Sequence, residues 1–541
     1  TVAVGGSLLV QGCRFRDSGG TADHQERGLF ASGITGSVTF EDSAGPIQSI
    51  EVTGNEGAGV RLQAAASNAT FTGGNYSNNA DHGIRLVDIS GTVTLVRTTA
   101  DNNDADDDGT GDGLSATDGG DADAVAIGGN FVVEGATFRD TDGAGAGVHQ
   151  ERGVFLASIG GDVTLQDSAG PVQSVTVTGN EGTGVRVADG GGNATFTNGT
   201  YSYNGAGTQF PGVNLNSFSG TIAFDGVITS GNTDNGIEVN NSGVVTLTNV
   251  TADNNTTVTE GDGAEIVSST SLTVTGGSFS GNADSGIDVE FVATVSLTGV
   301  AAHNNGRDGF TVQGDAMTLP AVTVTGGTFN DNARDGLHLV TVAGVLCSVA
   351  VTAAGNDPGI FIDGAASFSD TDGVYSGNRN GGIVLVDVAG SVTLVRTTAN
   401  NNDADGDGTG DGIAITNAAA ASLANVTASA NGVYGFAVSN VASLDLADLV
   451  LNLNGTTGGT IATVTTVNLT TTTAPAGVAD TVTITSTQFR HIRAGEVQQA
   501  VPYTAVTNLT VSAGDGSDTL NVLSSTFSLF PALTRPERGR I

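Results

Sequence analysis

Two acidic segments carry side chains whose type and spacing could bind a metal ion. Each segment follows an asparagine, Asn103 or Asn402, and places nine residues before the next repeat glycine. Their carboxylates belong to Asp104, Asp106, Asp108 and Asp112 in the first segment, and to Asp403, Asp405, Asp407 and Asp411 in the second. Calcium takes about six to eight oxygen ligands, and clustered carboxylates repel one another unless a cation lies between them. This chemistry favours calcium as a cofactor.

The acidic segments resemble the calcium loop of EF-hand proteins. Aspartates stand at relative positions 1, 3, 5 and 9 and a glycine at position 6. The pattern departs from the family at position 12, where Ser115 and Ala414 replace the bidentate glutamate, and we expect no helices around the loops. The alternative is that both segments are solvated acidic corners without an ion.

Two further patterns could carry chemistry. Residues 514–520 resemble one calcium-binding RTX nonapeptide, but a single copy is more typical of a β-turn. The cluster His24, Glu26 and Arg27 recurs as 149–152 and contains charged groups that a lyase could use. Because an active site duplicated in one chain is unusual, we interpret both copies as an exposed ion-pair patch or contact surface.

The charge of the chain excludes several classes of function. The 541 residues have a net charge of −38 and contain no lysine. Such a charge repels phosphate, so we expect neither nucleic acid nor an anionic membrane surface as a partner. No apolar run approaches the ~18–20 residues that a membrane-spanning helix requires, which predicts no membrane insertion.

A short repeat decides the architecture: an asparagine, three residues, a glycine and an apolar residue. Successive asparagines are commonly 23 or 24 residues apart, as from Asn55 to Asn79. The repeat corners are Asn55, Asn79, Asn180, Asn232, Asn282, Asn305, Asn332, Asn378 and Asn431. Asparagine and glycine tolerate the left-handed backbone of a sharp turn. Each asparagine is therefore predicted to form the same corner in every repeat.

Short alternations of β-branched residues flank each corner, such as Val175 to Thr178 and Ile237 to Val239. A period of two predicts strands with one buried face. Short strands and corners that repeat every ~24 residues form one turn of a coil, so the fold class is all-β, a parallel β-solenoid. Residues 1–460 are expected to form about 20 coils, and residues 461–541 a small C-terminal β-rich region with the RTX-like turn.

The repeat resembles the right-handed parallel β-helix family, the pectate-lyase-like solenoids. The resemblance implies a right-handed helix in which asparagines stack from coil to coil. Enzymes of this family are polysaccharide lyases and hydrolases. Asn232-Thr233-Asp234 matches one polygalacturonase motif, but the companion motifs are absent and the chain has no tryptophan for a sugar platform. We predict that the protein is not an enzyme, with a polysaccharide lyase or hydrolase as the alternative.

Longer segments are also duplicated. The segment from His24 to Gly28 recurs at 149–153, and three further segments recur with the same shift of 125 residues, about five coils. Block duplication lengthens a solenoid without adding a new site. We therefore expect an extracellular or cell-surface structural protein or adhesin, stiffened by calcium. Because neither end shows a capping helix, head-to-tail self-assembly into a filament or stalk is predicted, with glycans as further candidate partners.

Overall fold

A computed structural model of the chain describes most of its residues. The described residues are 2–3, 5–17, 26–43, 49–104, 111–118, 125–141, 150–205, 209–256, 261–348, 351–470, 481–484, 488–493, 496–497, 499–504, 506, 508–512 and 519–522. Throughout these ranges the structure contains strands and turns and no helix. The described residues therefore include no helix long and apolar enough to span a membrane. The chain divides into two compact units, residues 1–292 and 293–541.

The described residues of the first unit form 26 strands. They are β1 (Val2–Ala3), β2 (Leu8–Gln11), β3 (Arg14–Arg16), β4 (Leu29–Ser32), β5 (Val38–Glu41), β6 (Glu51–Thr53), β7 (Val60–Ala65), β8 (Ala69–Thr72), β9 (Ile84–Ile89), β10 (Val93–Val96), β11 (Asp112–Thr117), β12 (Phe131–Glu134), β13 (Thr137–Arg139), β14 (Arg152–Leu156), β15 (Val163–Gln166), β16 (Thr176–Thr178), β17 (Val185–Val187), β18 (Ala194–Thr197), β19 (Thr200–Ser202), β20 (Val213–Asn216), β21 (Thr221–Asp225), β22 (Ile237–Asn240), β23 (Val244–Thr248), β24 (Ala264–Val267), β25 (Ser271–Thr275) and β26 (Ile287–Glu290).

The second unit contains the remaining described strands. They are β27 (Thr294–Thr298), β28 (Phe310–Gln313), β29 (Ala321–Thr325), β30 (Leu337–Val342), β31 (Gly344–Ser348), β32 (Ile360–Ala365), β33 (Phe368–Thr371), β34 (Gly381–Val395), β35 (Asp411–Ala424), β36 (Tyr434–Ala447), β37 (Thr457–Thr470), β38 (Thr481–Ile484), β39 (Gln488–Arg493), β40 (Glu496–Val497), β41 (Val501–Thr504), β42 (Asn508–Ser512) and β43 (Thr519–Val522).

Strands of the first unit pair in parallel with the equivalent strand of the next turn. One row follows the corner glycines and runs through β4, β7, β9, β11, β14, β17, β20, β22, β24 and β26. A second row begins β2, β5, β8 and β10. A short third row includes β13, β16 and β19. Residues with alternate burial, such as Val60 and Leu62, face the core, which is the arrangement that the period of two predicts.

The second unit repeats this arrangement and then changes near its C-terminal end. Strands β34, β35, β36 and β37 each join the two main rows into one long strand and pair in parallel. β37 crosses residue 460 and pairs in parallel with β41 and β42, whereas β38 and β39 pair antiparallel. The domain boundary at 460 stays a prediction.

The prediction of an all-β parallel solenoid is confirmed, with about 16 turns instead of about 20. The difference arises because some turns are much longer than 24 residues. The corner of Asn103, for example, is followed in the next turn by that of Gln150, 47 residues later. The extra length of this turn lies between its strands, which still pair in register with those of the neighbouring turns.

Inward side chains of successive turns stack in rows inside the solenoid. Phe40 and Phe71 lie face to face with ring centroids 4.7 Å apart, and Phe196 and Phe224 repeat this contact at 4.7 Å. Tyr76 packs edge-on against Phe71 at 5.8 Å. All five rings are almost fully buried. Each stacked pair adds about 0.5–1.5 kcal/mol beyond the burial of its area, so the aromatic rows help to fix the spacing of the turns.

Candidate functional site

The corner asparagines form hydrogen-bonded rows inside both units. In the first unit the row consists of Asn55, Asn79, Asn103, Gln150, Asn180, Asn204, Asn232, Asn255 and Asn282, linked at 2.7–3.2 Å. In the second unit it consists of Asn305, Asn332, Asn356, Asn378, Asn402, Asn431 and Asn454, linked at 2.9–3.3 Å. Between successive members of each row, the side-chain amide of one turn donates to the side-chain oxygen of the next turn. These residues are buried and stabilise the corners.

Gln150 takes the place of an asparagine in this row. Its Oε1 accepts from Asn103 Nδ2 at 3.2 Å and its Nε2 donates to Asn180 Oδ1 at 2.7 Å. Gln499 similarly accepts the backbone N–H of Asn454 at 2.8 Å. A glutamine side chain offers the same amide as asparagine on one further methylene group. The sequence pattern missed both residues because it was defined by asparagine.

The structure describes only part of the first acidic segment. Asp106 and Asp108 lie outside the described residues, while Asp104 is fully buried. Asp112 is also fully buried, and its carboxylate receives Arg152 Nε at 2.8 Å and Nη2 at 3.3 Å. Burial raises the pKa of Asp112 to about 6, although Arg152 opposes the shift. The carboxylate of Asp112 is therefore paired with a guanidinium group, and its role as a calcium ligand stays a prediction.

Three carboxylates of the second acidic segment do come together. Oxygens of Asp403, Asp405 and Asp407 lie within 4.8 Å of one another. Asp411 is not part of this group: its Oδ1 accepts the backbone N–H of Tyr434 at 3.1 Å. Asp405 and Asp407 are exposed to solvent. Three hard oxygen donors that open to water fit a calcium ion whose remaining ligands are water molecules.

The same corner is braced by its own backbone and by the preceding turn. Gly408 N donates to Asp403 Oδ1 at 2.8 Å, and the Thr409 hydroxyl lies 2.6 Å from Asp407 Oδ1. Thr409 Oγ1 also lies 2.8 Å from Asn380 Oδ1 of the preceding turn. These bonds hold the loop in shape without satisfying all the carboxylate oxygens. Asp403, Asp405 and Asp407 are the residues that could hold the ion.

A cleft of about 610 Å³ lies on the outer face of the first unit, and the sequence did not predict it. We call it the arginine cleft. It is lined by Arg27, Arg61, Arg85, Arg152, His82, Asp81, Ser115, Thr117, Phe155, Glu26, Glu56, Gly57, Ala58 and Ala80. These residues belong to the consecutive turns of β4, β7, β9, β11 and β14, which span about 19 Å at ~4.8 Å per turn. The cleft therefore runs along the stack of turns.

Aromatic faces hold the arginines at the two ends of the cleft. The guanidinium carbon of Arg152 lies 4.1 Å from the ring centroid of Phe155. At the other end, Arg27 lies 5.4 Å from the centroid of Phe30, and Arg61 of the following turn lies 5.6 Å from the same centroid. Contacts of this kind contribute about 0.5–2 kcal/mol each and leave the edge of the guanidinium available for hydrogen bonds.

Two arginines in the middle of the cleft retain hydrogen-bonding capacity. Arg61 and Arg85 occupy the same register position on β7 and β9. The Nε atom of each is buried and has no hydrogen-bond partner among the described residues. Burial, together with the charges of Arg85 and Arg27, lowers the pKa of Arg61. Buried N–H donors and mutually repelling cations both favour a bound anion.

Acidic and neutral groups complete the cleft. Asp81 lies 3.2 Å from His82 Nε2 and 3.6 Å from Arg85 Nη1. Burial and the neighbouring arginines lower the pKa of His82 to about 3, so its imidazole is neutral near pH 7. His82 Nδ1 accepts the backbone N–H of Asp112 at 3.0 Å. The cleft thus combines four fixed cations with a few carboxylates at its wall.

Both copies of the duplicated segment contribute to this one cleft. Arg27 and Phe30 in the first copy correspond to Arg152 and Phe155 in the second, 125 residues later. The two copies are four turns apart in the row from β4 to β14, not five. His24 and His149 lie outside the described residues. The repeated sequence Arg-Gly-x-Phe was the signal that could have located the cleft.

Rows of parallel strands and stacked asparagines define a β-solenoid repeat protein. Residues 208–357 match the family model described as the right-handed beta helix region. The match begins beyond the arginine cleft, and its description concerns the helix itself. None of the curated protein sequences matches the chain.

Proposed function

We propose that the protein is an extracellular β-solenoid of structural or adhesive type that binds an acidic glycan in its arginine cleft. The observation that supports this proposal is the grouping of Arg27, Arg61, Arg85 and Arg152 along one cleft. In a chain of net charge −38, such a concentration of arginine is a local exception. It favours a ligand that brings its own negative charge.

The shape of the cleft favours a polymer over a single ion. Arg61 and Arg85 are one turn apart, and Arg27 and Arg152 extend the row of cations at both ends. A chain of carboxylated or sulfated sugars has charges at comparable intervals and apolar ring faces that can contact Phe155. Guanidinium groups bind carboxylate and sulfate through paired N–H donors.

Binding of a short uronate oligosaccharide tests the proposal. The methyl ester of the same oligosaccharide serves as the uncharged control ligand. The variant R61Q/R85Q removes the two central charges, and R396Q is the matched control because Arg396 pairs with Asp372 in the second unit. Hydrogen bonds to charged groups contribute about 1.5–3 kcal/mol each, so R61Q/R85Q should weaken binding at least tenfold. Equal affinity of both variants, or no binding to the wild type, would refute the proposal.

A polysaccharide lyase or hydrolase is the second candidate function. Glu26, Glu56 and Asp81 line the cleft beside guanidinium groups, which supplies both acid–base groups and a cationic site for a sugar carboxylate. A lyase would remove the proton next to that carboxylate and expel the glycosidic oxygen, leaving an unsaturated sugar. The test is prolonged incubation with the same oligosaccharide, followed by absorbance of the unsaturated product and by a reducing-end assay. Intact oligosaccharide excludes this candidate for that ligand.

Calcium binding and self-assembly complete the proposal. The grouping of Asp403, Asp405 and Asp407 supports a calcium site at that corner. Parallel solenoids present a strand edge at each end of the stack, which favours head-to-tail association. Electron microscopy with calcium and then with EGTA tests both points. Wild-type filaments that fray in EGTA, together with D405N/D407N filaments that look the same in calcium and in EGTA, would link calcium binding to assembly. Single rods in all conditions would contradict self-assembly.

A further inference from the structure

One row of outward side chains runs along the first unit, through the arginine cleft. Strand pairing places Phe30, Arg61 and Arg85 at the same register position on β4, β7 and β9. The next members at this position are Ser115 on β11 and Phe155 on β14. Residues in register on parallel strands point to the same face of the sheet. We call this series of residues the outer row.

The outer row continues past the cleft to a further arginine. Arg186 on β17 is in register with Phe155, and it is not among the residues that line the cleft. Its side chain is exposed between the buried Val185 and Val187. No residue that the structure describes forms a hydrogen bond or an ion pair with its guanidinium group. Because Arg152 already covers the Phe155 ring at 4.1 Å, the Arg186 guanidinium is left to solvent and to external anions.

Arg186 is the second copy of Arg61. The shift of 125 residues that relates Phe30 to Phe155 also relates Arg61 to Arg186. In each copy the aromatic residue and the arginine occupy the outer row on successive turns. We call Phe30 with Arg61 the first pair and Phe155 with Arg186 the second pair. The two pairs are four turns apart, about 19 Å along the stack, so the outer row presents the same combination of ring and cation twice.

The sign of the charge along the outer row reverses directly after the second pair. Asn214 on β20 follows Arg186, and its Nδ2 donates to Glu238 Oε2 at 2.5 Å. Glu238 and Glu265 then occupy the row on β22 and β24. An anionic chain that continued in this direction would be repelled by these carboxylates. The part of the row that attracts anions therefore ends at Arg186, five turns or about 24 Å from Phe30.

We propose that the outer row binds a long acidic polysaccharide at both pairs, and that Arg186 determines the preference for long chains. The inference rests on the proposed binding of an acidic glycan in the arginine cleft. Two equivalent sites four turns apart suit a ligand whose charged sugars recur along its length. A short oligosaccharide occupies the cleft alone, whereas a longer one also places a carboxylate at Arg186, whose guanidinium offers paired N–H donors. The second contact is then intramolecular, so the affinity increases with chain length.

A length series of one uronate oligosaccharide, from the disaccharide upwards, tests the inference by calorimetry with the full chain. R186Q removes the proposed contact, and R396Q controls for the loss of one exposed arginine. A longer ligand has more ways to occupy the cleft, so the variants are compared at each length. R186Q should bind the longest oligosaccharide about three- to tenfold more weakly than the wild type, the size expected for one exposed guanidinium–carboxylate pair. It should bind the shortest effective ligand as the wild type does, and R396Q should match the wild type throughout.

Protection from phenylglyoxal, which modifies accessible guanidinium groups, provides the second measurement. The long oligosaccharide at saturation should protect Arg186, and the shortest effective ligand should leave it reactive. Binding that R61Q/R85Q weakens, but that is equal in R186Q and the wild type at every length, overturns this inference and leaves the proposed function intact. Equal weakening by R186Q at every length also overturns it, because Arg186 would then contact the ligand inside the cleft. The absence of binding at any length refutes the proposed function itself and this inference with it.

Discussion

Removal of one asparagine from the row of the second unit should destabilise that unit strongly. Asn378 is fully buried, and its Oδ1 accepts the backbone N–H of Asn356 at 2.9 Å and Asn356 Nδ2 at 3.3 Å. Its Nδ2 donates to Ala353 O at 3.1 Å and to Asn402 Oδ1 at 3.1 Å. N378A removes all four contacts. We expect N378A to lower the free energy of unfolding several times more than an ordinary surface substitution does.

The magnitude follows from what each partner retains. Asn356 Nδ2 keeps its bond to Phe329 O, and Asn402 Oδ1 keeps the backbone N–H of residue 378. The backbone N–H of Asn356 loses its acceptor, which costs about 1–3 kcal/mol, and each of the other three bonds contributes about 1 kcal/mol net. N378A should therefore lower the free energy of unfolding by about 4–6 kcal/mol, a large share of typical domain stability.

Urea unfolding and hydrogen exchange measure this effect. Exchange should accelerate in peptides that contain residues 353–359 and 399–403, the turns on either side of the lost amide. N425G is the matched control, because Asn425 is exposed with φ of 56° and glycine accepts that conformation. N378D should be at least as harmful as N378A, since its carboxylate would face two acceptors. A loss below about 1 kcal/mol in N378A, equal to that of the control, would show that the row is not held by its hydrogen bonds.

Three further perturbations follow from the described contacts. The folded-state pKa of His82, about 3, lies below its usual value. The contribution of His82 to stability is therefore complete above pH 6.5 and falls as the pH drops towards 3. Over that window the free energy of unfolding of H82Q should fall by a few kcal/mol less than that of the wild type. D308N breaks the paired contacts of Asp308 with Arg334 at 2.9 and 2.6 Å, and urea unfolding should show a loss of about 2–4 kcal/mol, against little change in D315N. F40A opens a cavity beside Phe71 and should cost about 3–5 kcal/mol by the same assay; a loss under 1 kcal/mol would contradict the role of the aromatic row.

The architecture could be predicted from the sequence because its causes are local and repeated. Alternating β-branched residues specify a strand with one buried face, and the asparagine and glycine of every turn specify the same corner. A parallel stack is the arrangement that satisfies all these short strands at once. The predicted number of about 20 turns is roughly right; it exceeds the observed number of about 16 because turns such as that from Asn103 to Gln150 are longer than 24 residues.

The arginine cleft could not be located in the same way, since it depends on which residues of distant turns become neighbours. Arg61 and Arg85 are 24 residues apart, but Arg85 and Arg152 are 67 residues apart and lie in the same cleft. Asp112 illustrates the converse: its sequence neighbours suggest a calcium loop, whereas its partner in space is Arg152. The register of the paired strands decides which residues of neighbouring turns are in contact. Insertions between the strands change the sequence spacing of those residues, so the spacing does not reveal the register.

The two copies of the duplicated segment, 125 residues apart, both line the arginine cleft, so the duplication bears on the origin of the cleft. Copying a block of whole turns leaves every strand with an equivalent partner, so the event is neutral for folding. It also places Arg27 and Phe30 of one copy near one end of the cleft and Arg152 and Phe155 of the other copy at the other end, with Arg61 and Arg85 between them. In a molecule built by copying, a concave site with two matching ends can thus originate in a single genetic step, before selection has altered any residue.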